Sequence, residues 1–278
     1  MKIAFISTMN LKLYNFYGKR FLKEFAEFSS PEIILYIVFE GEYPEEILHI
    51  SKNIIILPLL SQNHKNFMKK FGHLEEAKGL RVKVIEENGN KHLKAKFDYR
   101  WHAVRFSFKP FSIHQCLEYI PPDLNFLIWT DADLRCKKNF TPDDLLQFMP
   151  NDKQIMSYLG RKNAYSECGF LGFNLKEQKT FEYINRMIEM YETGEFFTLE
   201  QWHDSFIWDH VRLDFERNMN CQFKDISGEG HDKAHVYVNT KLDEFFDHLK
   251  GPDRKELGKS KEEDYSRGIN DKIKKRDW

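Results

Sequence analysis

The sequence predicts an α/β fold, one open sheet with helices on both faces, and three observations carry that expectation. Continuous apolar runs rich in β-branched residues, "KIAFIST", "EIILYIVFE", "NIIILPL" and "FLIW", recur along the chain, as strands covered on both faces do. Between several of them lie stretches whose apolar residues repeat at helical spacing. The run "FLIW" also ends abruptly on the acids of "TDAD", where a strand of an open α/β sheet delivers side chains to a ligand crevice.

Taken in order, "KIAFIST" reads as a buried strand entering a loop. Tyr14, Tyr17, Phe21, Phe25 and Phe28 then recur at spacings of three and four, an aromatic stripe on one helical face. Two further strands follow. From Gln62 to about Lys96 the periodicity weakens among many charges and an Asn88-Gly89 turn signal, so residues 62–96 read as an insertion over a rim. "YRWHAVRFSFKPFSIHQCLEYI" is helical in tone, with Pro110 expected to kink it or begin a second turn. After the strand "FLIW", Thr141-Pro142-Asp143-Asp144 is a helix start with a Thr cap, proline at the first position and acids facing the dipole. "QIMSYL" reads as a strand. It leads to "ECGFLGFNL", whose Gly169 and Gly172 permit close approach of something to the backbone. Phe181, Ile184, Met187, Ile188 and Tyr191 line a helix that ends at Gly194. A second helix is expected to open at the capping pair Thr198 and Gln201 and to bury Phe206, Ile207, Val211 and Phe215. Residues 1–251 therefore read as one domain. Beyond Pro252 nine cationic and seven anionic side chains outnumber the apolar ones, which predicts a mobile charged tail over 252–278.

With 41% hydrophobic residues over 278 positions the chain can bury a full core, and 42 Lys and Arg nearly cancel 43 Asp and Glu. General nucleic-acid binding is therefore disfavoured. Cys116, Cys136, Cys168 and Cys221 form no Cys-x-x-Cys pair and no secretory leader precedes them, so reduced thiols in a cytoplasmic protein are expected. No apolar run approaches the ~20 residues that cross a bilayer. A peripheral contact with a membrane surface is left open.

Asp131 and Asp133 carry the chemistry. Two carboxylates at the mouth of an apolar strand repel each other, and one takes up a proton unless a cation sits between them. Hard carboxylate oxygens suit Mn²⁺ or Mg²⁺, ions that keep positions open for water and substrate phosphates. "GKS" at Gly258 is no phosphate loop, because position 253 is Asp where the Walker spacing needs Gly.

"FLIWTDADL" resembles the strand and Asp-x-Asp motif of GT-A-fold glycosyltransferases, and that resemblance implies a GT-A-like, Rossmann-like mixed sheet holding Mn²⁺ or Mg²⁺ against the diphosphate of a nucleotide sugar. Other segments agree in order. "FISTMNLKLYNFYGKRFL" lies where that fold binds the nucleotide, which implies nucleotide contacts from Thr8, Asn10 and Tyr17, with Glu40 after the second strand. "RFSFKPFSI" resembles the helix before the motif, with Arg105 and Lys109 as cations for the sugar diphosphate. "ECGFLGFNL" resembles the acceptor-side glycine segment. "HLKGPDRK" resembles the His-x-x-Gly-x-x-Lys element of some members, which implies His248 as third metal ligand, with His231 and His235 as rivals. Arg254 stands at that element's basic position and Lys255 one later, so both are candidates for phosphate.

The implied reaction is transfer of a hexose from a UDP- or GDP-sugar to a glycan, lipid-linked or other hydroxyl acceptor. An inverting enzyme needs a base for the acceptor hydroxyl. "TLEQWHDSFIWD" offers Asp204, with Glu200 as substitute; in a retaining enzyme Glu167 or Asn174 gains interest. Two other readings compete: a nucleotidyltransferase acting on sugar phosphates, disfavoured because no glycine-rich basic loop follows the first strand, and a non-catalytic metal-dependent glycan-binding domain presenting Trp129, Trp202 and Trp208.

Overall fold

The computed structural model describes residues 1–57, 60–87, 90–228 and 235–265, with backbone alone over 83–87 and 90–92. Strand β1 (Ile3–Met9) leads to α1 (Leu11–Leu13), capped by the Asn10 side chain, then a π-helical turn Tyr14–Gly18 and α2 (Lys19–Phe28). The extra residue of a π turn is common at functional sites. Here it carries Tyr17. Strands β2 (Ile34–Phe39) and β3 (Ile54–Leu57) follow.

The 62–96 stretch is more ordered than its composition suggested. Ser61 caps α3 (Gln62–Phe71), and β4 (Leu80–Glu87) pairs antiparallel with β5 (Asn90–Phe97) as a two-stranded ribbon apart from the main sheet. Only His64, Phe67 and Phe71 of α3 are buried, a stripe too narrow to stand out as periodicity. The Asn88-Gly89 signal lies outside the described residues. Helix α4 (Ala103–Cys116) runs through Pro110 as one element, so no second helix begins there. Then come β6 (Phe126–Thr130), β7 (Leu134–Cys136), α5 (Pro142–Leu146) with a full Thr141–Asp144 capping box, β8 (Gln154–Leu159) and β9 (Glu167–Asn174). Helix α6 (Gln178–Thr193) ends on left-handed Gly194 as expected, whereas α7 (Asp204–Asn218) starts later than the Thr198 and Gln201 pair implied. Thr198 instead donates to Glu195 O and closes a 3₁₀ turn. Strands β10 (Gln222–Asp225) and β11 (Phe246–His248) and helix α8 (Pro252–Leu257) complete the fold.

The main sheet is seven-stranded and mixed, in the order β10-β8-β9-β6-β1-β2-β3. β3, β2, β1 and β6 are parallel; β9 runs antiparallel between β6 and β8. Side chains alternate between two cores. Ala4, Ile6, Leu127 and Trp129 pack beneath α4, α6 and α7, while Ile3, Phe5, Phe126 and Ile128 pack beneath α2 and the β7–β11 ribbon. This double covering is why the strands read as unbroken apolar runs.

The charged segment beyond Pro252 is tied down as far as Tyr265. Arg135 donates to Gly258 O, Ser260 N and Oγ donate to Asp247, and Asn239 Nδ2 donates to Asp264 O. The rejected "GKS" is thus a turn: Gly258 takes φ +72° to end α8, and Ser260 is buried on Asp247. Residues 266–278 lie outside the described residues.

One core histidine makes a measurable prediction. His64 stacks on Phe111 with ring centroids 4.5 Å apart, meets Phe108 edge-on at 4.6 Å and sets Nε2 2.9 Å from Ser107 Oγ. Burial pushes its pKa from 6.5 down to about 3, so the unfolded chain binds this proton more readily than the folded one. Its contribution is complete above pH 6.5 and is lost as pH falls toward 3. At pH 5 the loss is about 2 kcal/mol relative to pH 7.5. Urea midpoints at the two pH values are expected to differ less in His64→Gln than in the wild type; an equal difference would rule the histidine out as the cause.

Candidate active site

Asp131 and Asp133 leave the sheet at the carboxyl end of β6, beside the carboxyl ends of β1 and β2. The turn is pinned by backbone: Asp131 N donates to Gly169 O at 3.3 Å and Leu249 N to Asp133 O at 3.1 Å. β11 pairs antiparallel with β7 so that His248 faces Leu134. Phe246 anchors that ribbon, its ring 5.0 Å from Phe140 and 6.2 Å from Phe5. In this way an imidazole remote in sequence reaches the acids, with His248 Nε2 3.2 Å from Asp133 Oδ1 and 3.7 Å from Asp131 Oδ2.

Each of the three offers a ligand atom, and those atoms lie within 4.8 Å of one another. Among the described residues Asp133 Oδ1 and His248 Nδ1 are buried without a hydrogen bond that meets geometric criteria, a costly state for polar atoms. Two carboxylates and an imidazole around an orphaned oxygen fit a divalent cation of the Mn²⁺ or Mg²⁺ class. Gly169 makes room for the ring: a Cβ there would stand 2.8 Å from His248 Cε1.

Two lysines frame the group. Lys109, buried in α4, sets Nζ 3.1 Å from Asp131 Oδ1 and 2.6 Å from Asp204 Oδ2, and donates to Cys168 O at 2.7 Å. Lys255 Nζ is 2.7 Å from Asp133 Oδ2 and 5.0 Å from the Tyr17 ring centre. Burial penalises the Asp133 carboxylate, but His248 and Lys255 outweigh it and hold the group below the usual range. Burial pushes Asp131 up against the pull of Lys109. Burial also opposes the charge on Lys109, yet Asp131 and Asp204 keep it protonated.

At the ends of β1 and β2, Thr8 Oγ1 donates to Val38 O at 2.8 Å and to Glu40 Oε1 at 3.1 Å; Asn10 Nδ2 donates to Glu40 Oε2 at 3.4 Å. Burial raises the Glu40 pKa against those two donors and the field of exposed Arg105 on α4. Tyr17 is buried beside the acid pair, and burial, then Asp133 and Asp131, raise its phenol. Thr8, Asn10, Glu40, Tyr17 and Arg105 therefore border the same side of the acid pair.

Other candidates separate. Lys255 reaches Asp133, whereas Arg254 turns away and pairs with Asp264, its Nε 2.9 Å from Oδ2. Asp204 is the first residue of α7; burial opposes its ionisation but Lys109 holds it below the usual range. Glu200 is exposed before α7, and no hydrogen bond or ion pair among the described residues links it to the site. Glu167 is buried beside the site, paired with Lys250 and 3.8 Å from Arg161. Asn174 sits at the opposite end of the sheet, facing Phe126 and donating to Asn151 O and Gln154 O, far from the crevice. His235 Nε2 lies 3.2 Å from Ser260 Oγ, and His231 is outside the described residues.

Lys250 and Arg161 carry no mark of their own in the sequence, and Trp129, expected there only as a glycan-facing aromatic, is buried with its indole donating to Asp131 Oδ1 at 2.9 Å. The one available signal for Lys250 was its position two residues after His248, the period of an extended strand.

No protein-family model matches the chain, and no curated protein matches it. Among solved structures it is similar to a glycosyltransferase involved in glycosylation of the major capsid of PBCV-1, at 10% identity and TM-score 0.47, over 92% of this chain and 100% of that one. It is similar to the glycosyltransferase GlyE of Streptococcus pneumoniae at 11% identity and TM-score 0.45, covering 82% of this chain and 46% of that one, so it spans about half of GlyE. Mouse xyloside xylosyltransferase 1 follows at 11% identity and TM-score 0.44, over 81% and 85% of the two chains.

Proposed function

We propose that this chain is a divalent-metal-dependent glycosyltransferase that moves a glycosyl group, a hexose in the first instance, from a nucleoside-diphosphate sugar to a hydroxyl acceptor. One observation carries the reading: Asp131, Asp133 and His248 converge at the carboxyl ends of parallel strands around an orphaned carboxylate oxygen, beside the polar group of Thr8, Asn10 and Glu40. That supports a site for a metal, a diphosphate and a nucleoside in one crevice.

Asp131, Asp133 and His248 would hold Mn²⁺ or Mg²⁺, which when bound neutralises charge on a departing diphosphate. Lys255 exchanges Asp133 for a phosphate oxygen at little cost, because both partners are anionic. Lys109 fixes the Asp131 carboxylate from behind. Thr8, Asn10, Tyr17, Glu40 and Arg105 receive the base and ribose. Asp204 stays ionised beside Lys109 and accepts the proton of the attacking hydroxyl. Its depressed pKa makes it a weak base, so the proton transfers late, after the leaving group has begun to depart. Glu167 is engaged by Lys250 and Arg161 and positions the His248 side of the site.

Incubation with UDP- and GDP-sugars and Mn²⁺ is expected to release nucleoside diphosphate. Release of pyrophosphate would point to nucleotidyl transfer instead, and metal-dependent glycan binding without any nucleotide effect to a binding module. Asp204→Asn is expected to lower kcat by about 10²–10⁴-fold with donor affinity held within about threefold. A parallel fall in donor affinity would make Asp204 a support for Lys109 and remove it from proton transfer.

A further inference from the structure

We propose that the β4–β5 hairpin is a docking surface for an anionic lipid bilayer. Its register places Leu80 opposite Phe97 and Val82 opposite Ala95, with Leu93 two residues further along, on one face, and Arg81 opposite Lys96, with Lys94 two residues along, on the other. The apolar face is bare: Val82 is 63% exposed, Leu93 76% and Phe97 56%. Large apolar side chains gathered on one exposed face mark an interaction site.

The basic face says what covers it. Directly opposed like charges destabilise a ribbon, yet Arg81 stands opposite Lys96 here, with exposed Lys94 beside them. Residues 80–97 hold five cationic residues against two acidic ones, in a chain whose net charge is −1. The positive charge is thus local to the hairpin. A ribbon with an apolar face for the acyl boundary and the exposed stems of Lys94 and Lys96 free to snorkel to phosphate repeats the logic of an interfacial amphipathic helix. A second copy is the poorer occupant. Pairing two such hairpins would align their lysines, which is how edge strands block association, and a few side chains fall well short of the ~1,200 Å² of a stable protein interface.

The base of the hairpin is firm. Arg81 lies over the Trp101 and Trp202 rings at 4.9 and 5.3 Å, and Trp202 N donates to Arg100 O at 2.7 Å. Trp202 stands two residues before Asp204, so docking would hold the crevice near the bilayer. Among the described residues no helix is long and apolar enough to cross a membrane, and the hairpin supplies a different kind of attachment.

Co-sedimentation of the full chain with vesicles of phosphatidylcholine alone, or with about a third phosphatidylserine, tests this. Binding is expected only to the anionic vesicles, and to fall between about 0.1 M and 1 M salt. Lys94→Ala/Lys96→Ala should weaken it on the order of 30-fold, and Val82→Ser/Leu93→Ser about tenfold or more. Neither pair should shift the thermal midpoint or nucleoside-diphosphate release, because these side chains leave the core and the crevice untouched. Equal binding to neutral vesicles, no binding to either kind, or indifference to both double variants would overturn the proposal. So would a dimer in sedimentation velocity that Val82→Ser/Leu93→Ser abolishes, since the second copy would then be the occupant.

Discussion

Asp133→Asn is expected to lower turnover on the order of 10³-fold and to abolish the thermal stabilisation that Mn²⁺ and a nucleoside diphosphate give together. The size follows from losing one charged contact to a group that must offset leaving-group charge, about 4 kcal/mol in a water-poor site. Asparagine keeps the shape and still accepts from Lys255, so the variant should fold. The neighbouring lysine supplies the contrast. Lys255 Nζ sits 2.7 Å from Asp133 Oδ2 and competes with any ion for that carboxylate, so Lys255→Met should bind Mn²⁺ alone more tightly and nucleoside diphosphate more weakly. Titration calorimetry with Mn²⁺, then with UDP or GDP at saturating Mn²⁺, separates the two effects. If Asp133→Asn retained the wild-type metal affinity, the acid pair would be a lysine-neutralised structural feature and the proposed chemistry would go with it.

That structural alternative has real physical content. Lys109 on Asp131 and Lys255 on Asp133 give each acid a partner without any ion, so like-charge repulsion is partly relieved by side chains as they stand. What the lysines leave unanswered is Asp133 Oδ1, buried without a hydrogen bond and facing an imidazole. Repulsion between the two acids therefore does not by itself require a cation. What calls for a cation is a buried carboxylate oxygen that neither lysine meets and that faces an imidazole at 3.2 Å.

The legible parts of the sequence were those where local pattern and final environment coincide. β1, β2 and β6 are covered on both faces and read as apolar runs; Thr141-Pro142-Asp143-Asp144 reads as a helix start because a capping box is local chemistry. Asp131 and Asp133 announced themselves by ending such a run. Convergence over long range left only thin traces. His248 reaches the acids through β11–β7 pairing, and Lys109, singled out as a cation for the diphosphate, is buried among Asp131, Asp204 and Cys168 O, partners no spacing disclosed. Lys255 and Arg254 are adjacent in sequence and take opposite partners, a choice made by the direction of α8 and invisible to spacing. The later start of α7 has a local cause instead: Thr198 closes a 3₁₀ turn onto Glu195 O rather than capping a helix, which leaves His203 as the cap.

Gly169→Ala is the second change from which a large effect is expected, and it removes no functional group. The added methyl would stand 2.8 Å from His248 Cε1, 3.0 Å from Nδ1 and 3.3 Å from Nε2, so the imidazole must shift. The ring has little freedom to do so: Tyr237 stands 5.3 Å away by ring centroids, His235 stands 6.0 Å away, and β11 is held in register with β7. Overpacking of this kind costs about 1–3 kcal/mol of stability. Tilting one metal ligand should weaken Mn²⁺ binding by about 10–100-fold, the range seen when a ligand's supporting contacts are lost. Both losses have one cause, so they should not add. In a His248→Ala background, where the methyl meets empty space, Gly169→Ala should change metal affinity by less than about twofold. Gly172→Ala is the matched control on the same strand, because its methyl would meet Ser157 Oγ at 2.5 Å and Met149 Cε at 3.1 Å. It should destabilise the protein and leave metal affinity alone. Equal effects of the two alanines on metal affinity, or additivity of Gly169→Ala with His248→Ala, would mean that the glycine serves strand packing and that His248 does not take part in holding the ion.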